Sequence, residues 1–205
     1  MGLISNGTTI FDAGALDSGL AKGAMTFIKK LTASSSATLS FVNGASGVVL
    51  DNTYKEYVFT FKDIHPATDN VDFEFNMSAD SGSNYNVAKT TTLFDPIHGE
   101  DGNNGGVAYS SGRDLAQGTG FQDLMGGIGN DNDQNGCGFL HLFNPSSTTF
   151  VKHFISRTHY YHNGNYALSM FIAGYGNTTS AVNGIRFAMS SGNIDAGDIC
   201  LYGIS

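Results

Sequence analysis

From Val71 to Ser78, apolar and polar residues alternate without a break: Val71, Phe73, Phe75 and Met77 against Asp72, Glu74, Asn76 and Ser78. Successive side chains of a strand point to opposite faces. The pattern therefore commits one face to a core and the other to solvent, and it does not fit the helical period of about 3.6 residues. The same period sets Tyr57, Phe59 and Phe61 against Val58, Thr60 and Lys62, and Leu168, Met170 and Ile172 against Ala167, Ser169 and Phe171. It recurs where Ile185, Phe187 and Met189 alternate with Arg186 and Ala188. Residues 129–155 predict a hairpin: an apolar run over 139–143, the turn Asn144-Pro145-Ser146-Ser147, and a second run over 149–155. Pro145 is preset for a turn and the serines bond nearby backbone. Further strands are predicted over 25–31, 37–42, 84–94 and 198–204, with loops over 63–70 and 99–106. Residues 114–125 have room for one helical turn, and Gly118 and Gly120 forbid more.

The expectation is an all-β chain of about eight to nine strands. Long crossing loops favour a jelly-roll-like β-sandwich over an immunoglobulin-type sandwich, whose Cys…Trp…Cys hallmark is impossible in a chain without tryptophan. Residues 1–23 show neither period and read as an extended N-terminal arm, with 24–205 as a single sandwich domain. Leu3, Ile4, Ile10, Phe11 and Leu16 make this arm a segment that packs on something, a neighbouring subunit being the expected partner.

Of the 205 residues only 14% are charged, and the net charge is −8. A neutral polar surface suits contacts with copies or partners, because few charges must be desolvated there. The ten Lys and Arg residues form no basic stripe, so nothing points to nucleic acid or an anionic membrane. No run approaches the length of a membrane span, and the N-terminus shows no secretory signal. Cys137 and Cys200 lack metal or redox spacing and read as inert thiols.

Asp131-x-Asp133-x-Asn135-Gly136 matches the first half of a calcium loop, but Leu142 stands where a bidentate Glu closes such a site. The primary reading is an acidic turn with no cofactor, and weak Ca²⁺ binding is the alternative. Tyr160, Tyr161 and His162 fall in a loop of Tyr, His and Asn at the end of a hairpin, where such exposed tips grip a protein or sugar surface. His159 and His162 lack a third zinc ligand nearby. Gly127-x-Gly129 has neither the preceding strand nor the following helix of a phosphate cradle. Glu56, Asp72 and Glu74 lie on polar strand faces and read as solvated. No catalytic signature appears, so the chain reads as a non-enzyme.

The C-terminal third carries Asn144-Pro145-Ser146-Ser147-Thr148-Thr149, Thr178-Thr179-Ser180-Ala181, Ile185-Arg186-Phe187, Ser190-Ser191-Gly192-Asn193-Ile194-Asp195-Ala196-Gly197 and Leu201-Tyr202-Gly203-Ile204. With the opening Leu3-Ile4-Ser5-Asn6-Gly7-Thr8-Thr9, these resemble small virion proteins of tailed phages that infect marine cyanobacteria and related bacteria. The resemblance covers both ends of the chain and rests on turn and strand signatures. It implies a jelly-roll-like structural protein made in the host cytoplasm and carried on the particle surface, as a tail or fibre appendage or a capsid decoration. It implies self-association as a homotrimer, contacts with other virion proteins, and no catalytic residues. A host-surface glycan or protein is the further partner this reading allows. The alternative is a carbohydrate-binding, lectin-like module assisted by Ca²⁺ at Asp131 and Asp133.

Overall fold

The computed structural model describes residues 3–12, 15–16 and 24–205, and these form fifteen strands and no helix. Three short strands, β1 (Leu3–Ser5), β2 (Thr8–Asp12) and β3 (Ala15–Leu16), make a small antiparallel sheet of their own. The remaining twelve are β4 (Met25–Thr32), β5 (Thr38–Val42), β6 (Glu56–Pro66), β7 (Val71–Ser78), β8 (Lys89–Gly99), β9 (Gly106–Tyr109), β10 (Gln122–Ile128), β11 (Gly136–Phe143), β12 (Lys152–His162), β13 (Tyr166–Gly176), β14 (Gly184–Met189) and β15 (Ile194–Ile204).

The jelly roll follows from how these strands pair. The first half of the domain folds back antiparallel on the second as a long ribbon: β4 with β15, β5 with β14, β6 with β11, β7 with β10. Wrapping that ribbon brings β15 against β6 and β14 against β7. The result is two facing sheets ordered β4-β15-β6-β11 and β10-β7-β14-β5, the double Greek-key arrangement of a jelly roll. Two insertions enlarge the first sheet. The β12–β13 hairpin and the β8–β9 pair continue it past β11 as β12-β13-β8-β9. At one corner Ile128 of β10 pairs with His162 of β12, which joins the sheets and nearly closes the sandwich into a barrel.

The alternation places the core where it was expected. Phe73, Phe75 and Met77 of β7 and Phe59 and Phe61 of β6 are buried between the sheets. They surround Phe187 of β14, whose ring lies 5.3 Å from that of Phe61 and 5.4 Å from that of Phe59. Each such ring removed from water contributes about 2–3 kcal/mol. The 139–155 hairpin also forms, with Leu142 opposite Phe154.

Three expectations change. Residues 114–125 hold no helical turn; Gln122–Ile128 are strand β10, because pairing with β7 supplies the ladder that glycine-rich sequence could not announce. The expected loop over 63–70 shortens to 67–70, since β6 runs on to Pro66. Residues 1–23 are not simply extended: Asn6 and Gly7 both take positive φ and turn β1 back onto β2 as a hairpin. Leu3 and Ile4 are exposed and Ile10 is half-buried, while the side chains of Phe11 and Leu16 lie outside the described residues.

Candidate functional site

The extension of the first sheet creates a face that the second sheet does not cover. Along β12 every odd residue from His153 to His159 is exposed and every even one from Lys152 to Tyr160 is buried. Strand register then lines up outward-facing residues across neighbouring strands, most of them exposed or partly exposed and Val58 buried. One row runs Phe139, Arg157, Phe171, Phe94, Tyr109 through β11, β12, β13, β8 and β9. The adjacent row runs Phe27, Tyr202, Val58, His141, Ile155, Ala173, Thr92 and crosses the sheet from β4 to β8.

These rows hold each other in place. The Phe94 and Phe171 rings stack at 4.9 Å and 4°, and the Arg157 guanidinium lies over Phe171 at 4.7 Å. Where small Ala173 and Thr92 stand between the large rings, the surface sinks into two adjoining hollows of about 430 and 340 Å³. Arg157 is the one Lys, Arg, Asp or Glu in their lining. Ile155 is 51% exposed and Phe94 46%. Soluble monomers rarely leave a contiguous apolar trough of this kind open.

Sequence reasoning missed this face. Residues 139–143 were read as one apolar run, and Phe171 was counted on the polar side of β13. The available signal was a strand apolar on both faces, which in a sandwich means cover on both sides.

A second cluster lies on the outer face of β7 and β10. Arg113, from the β9–β10 connection, donates from Nη1 to Asp72 Oδ1 at 2.8 Å and to Asp123 Oδ2 at 2.7 Å. Asp72 Oδ1 also accepts the Gly127 amide at 2.8 Å. Gly127 has φ 72° and passes so close to the His162 ring that any side chain there would collide with it. Burial works against the charge on Arg113, but Asp72 and Asp123 more than offset it and hold the guanidinium charged. Burial raises Asp123, Asp72 adds to the effect, and Arg113 opposes it. Glu74, opposite Asp123 in register, is pushed up to about 7 by burial and by Asp123 and Asp72. Asp72 and Glu74 are thus half-buried and not the solvated carboxylates expected: the 110–121 connection folds over them.

A proton therefore binds Glu74 more tightly in the folded chain than in the unfolded one. The stability this contributes is present below the ordinary value of 4.5 and is lost as pH rises through about 7. Glu74→Gln should gain on the parent by ~2 kcal/mol between pH 5 and pH 8, after allowance for partial exposure. Urea unfolding of both chains at the two pH values checks this, and parallel curves would refute it.

The other expected sites are dispersed. Asp131, Asp133 and Asn135 are exposed, and the loop closes as a turn in which the Gln134 amide donates to the Asp131 carbonyl at 2.9 Å. The Asp131 amide in turn donates to Gln134 Oε1 at 3.2 Å. Among the described residues no three His, Cys, Asp or Glu side chains gather as a metal site. Tyr160 corrects the expected Tyr160–Tyr161–His162 contact: it is 2% exposed and points inward, because neighbouring strand residues face opposite ways. Tyr161 and His162 are half-buried, with Tyr161 Oη donating to Asn165 Oδ1 at 3.3 Å and the His162 ring 5.6 Å from Tyr166. Burial, then Arg113, keep His162 below its ordinary value. Cys137 and Cys200 are free thiols.

Comparison with protein-family models, with curated proteins and with solved structures returns no match.

Proposed function

We propose that this chain is a non-enzymatic structural protein of a phage virion, displayed on the particle surface as a tail or fibre appendage or a capsid decoration. Its working surface is the aromatic trough on the outer face of the large sheet. The single observation that carries this reading is the continuous row Phe139–Arg157–Phe171–Phe94–Tyr109, apolar and open across five strands. Sequence supports the particle assignment through the terminal motifs, and the jelly-roll order supports it through a fold suited to packing side by side. The trough fits a protein better than a sugar. A glycan needs a ring of polar donors around its stacking platform, whereas the polar side chains here are Arg157, His153, Tyr175, Ser156 and three threonines, and Ser156 and Thr91 are buried.

Two measurements test the reading. Antibody raised against the chain should label the surface of intact particles, and unlabelled, chain-free particles would remove the virion assignment. Ile155→Asp places a charge in the trough without touching the core. It should leave the fold intact by circular dichroism while lowering the light-scattering mass to that of one chain, and any fall in thermal midpoint should match the loss of assembly. A variant that still self-associates at the parent's mass would show that the trough is not the contact.

A further inference from the structure

We infer that the trough is filled by the N-terminal β1–β2–β3 sheet of a second copy of this chain, an exchange of arms between subunits; this rests on the reading of the trough as an assembly contact.

Three observations carry it. First, the described part of the arm is a small sheet of short strands. Its strands have 3, 5 and 2 residues, too few to bury their own apolar side chains. Leu3 is 63% and Ile4 62% exposed, and the arm shares no ladder with the twelve-stranded sheet. The described residues thus present two exposed apolar surfaces, the Leu3–Ile4 edge of the arm and the trough.

Second, the charges match. The hollows hold Arg157 and no carboxylate, and residues 3–16, which make the small sheet, carry Asp12 and no Lys or Arg. An Asp-bearing apolar sheet set over Arg157 would meet one opposite charge and no like charge within the lining.

Third, reach favours a neighbour over the arm's own domain. The arm rejoins the sheet at β4, the edge far from the trough, and β15, β6 and β11 lie between β4 and β12. Strands about 4.8 Å apart, and a docked layer about 10 Å above the sheet, set a path of about 24 Å to the trough centre. Residues 17–24 span at most about 27 Å when fully extended, so an arm folding onto its own trough must be drawn nearly straight. An arm from a neighbouring copy carries no such restriction, and exchange of a terminal element is a low-cost route to closed assemblies.

The experiment uses the full chain with two variants. One carries Leu3→Asp with Ile4→Asp, which leaves the trough intact; the other is Ile155→Asp, which leaves the arm intact. Light scattering should find the parent assembled and each variant at the mass of one chain, with circular dichroism showing each variant still folded and its thermal midpoint lowered only by the loss of assembly. Mixing the two variants in equal amounts should restore a two-chain species, because each supplies what the other lacks. The milder pair, Leu3→Ser with Ile4→Ser and Phe94→Ser, should repeat the pattern if an aspartate variant misfolds. A parent at the mass of one chain, an arm variant that still assembles, or a mixture that stays dissociated each overturns the inference. Particle labelling separates the two claims: labelled particles with an arm variant that assembles normally keep the virion reading and discard the exchange.

Discussion

Replacing Phe187 with alanine should cost this chain about 4 kcal/mol of unfolding free energy, near the upper end for a core phenylalanine. Phe187 is fully buried in β14, with β7 on one side and β5 on the other. Its ring lies within 6.4 Å of five others: Phe41, Phe59, Phe61, Phe73 and Phe75. Rings held on paired strands of two sheets cannot close over the gap, so the truncation loses both burial and packing. Urea denaturation should show a lower midpoint with an unchanged slope. Phe150→Ala, at an exposed position, serves as the control and should shift the midpoint little. A loss under about 1 kcal/mol at Phe187 would mean the two sheets are not packed through this cluster.

Arg113→Met should lower stability by about 3 kcal/mol at pH 8, through charge and not volume. The guanidinium bonds to both Asp72 and Asp123, and all three groups are less than a third exposed. Without it two carboxylates and Glu74 face one another under the 110–121 connection, each short of solvent. Protonation relieves that repulsion, so the deficit should shrink as pH falls toward 4. Adding Asp123→Asn to Arg113→Met should recover part of the loss, a non-additive result expected of partners in one network. A deficit independent of pH, or strictly additive double variants, would argue that Arg113 acts only as packing.

These two residues differ in how far they could be foreseen. Phe187 sits in a strand whose alternation already marks it as inward, and the same period exposes β6, β7 and β13. Arg113 and Asp123 carry no such mark. Arg113 lies in a connection whose course depends on β8 and β10 being placed by pairings remote in sequence, and only that course brings it to Asp72 and Asp123. Asp72 and Glu74 looked solvated because alternation states only which face a residue takes, and says nothing about what later covers that face. Strands β9 and β10 escaped for a different reason: glycine has no side chain to write a period, so their ladders are visible only once partners are in place. The trough combines both effects. A strand apolar on each side reads as interior, yet here its outer side is left open by the sandwich itself.

The nested pairing of strands also orders events in time. Met25 stands opposite Ile204 across β4 and β15, so the first strand of the domain to leave a ribosome waits for the last before its ladder exists. The β7–β10 and β6–β11 ladders enclose progressively longer stretches of chain, and entropy favours closing the shorter loops first. Throughout synthesis β4 and the edge of β6 that β15 will occupy remain without their hydrogen-bonding partners. A nascent chain of this design is most vulnerable to sticking to its siblings in the interval before β15 emerges, and a truncation that removes β15 should accumulate as aggregate even though most of its core residues are present.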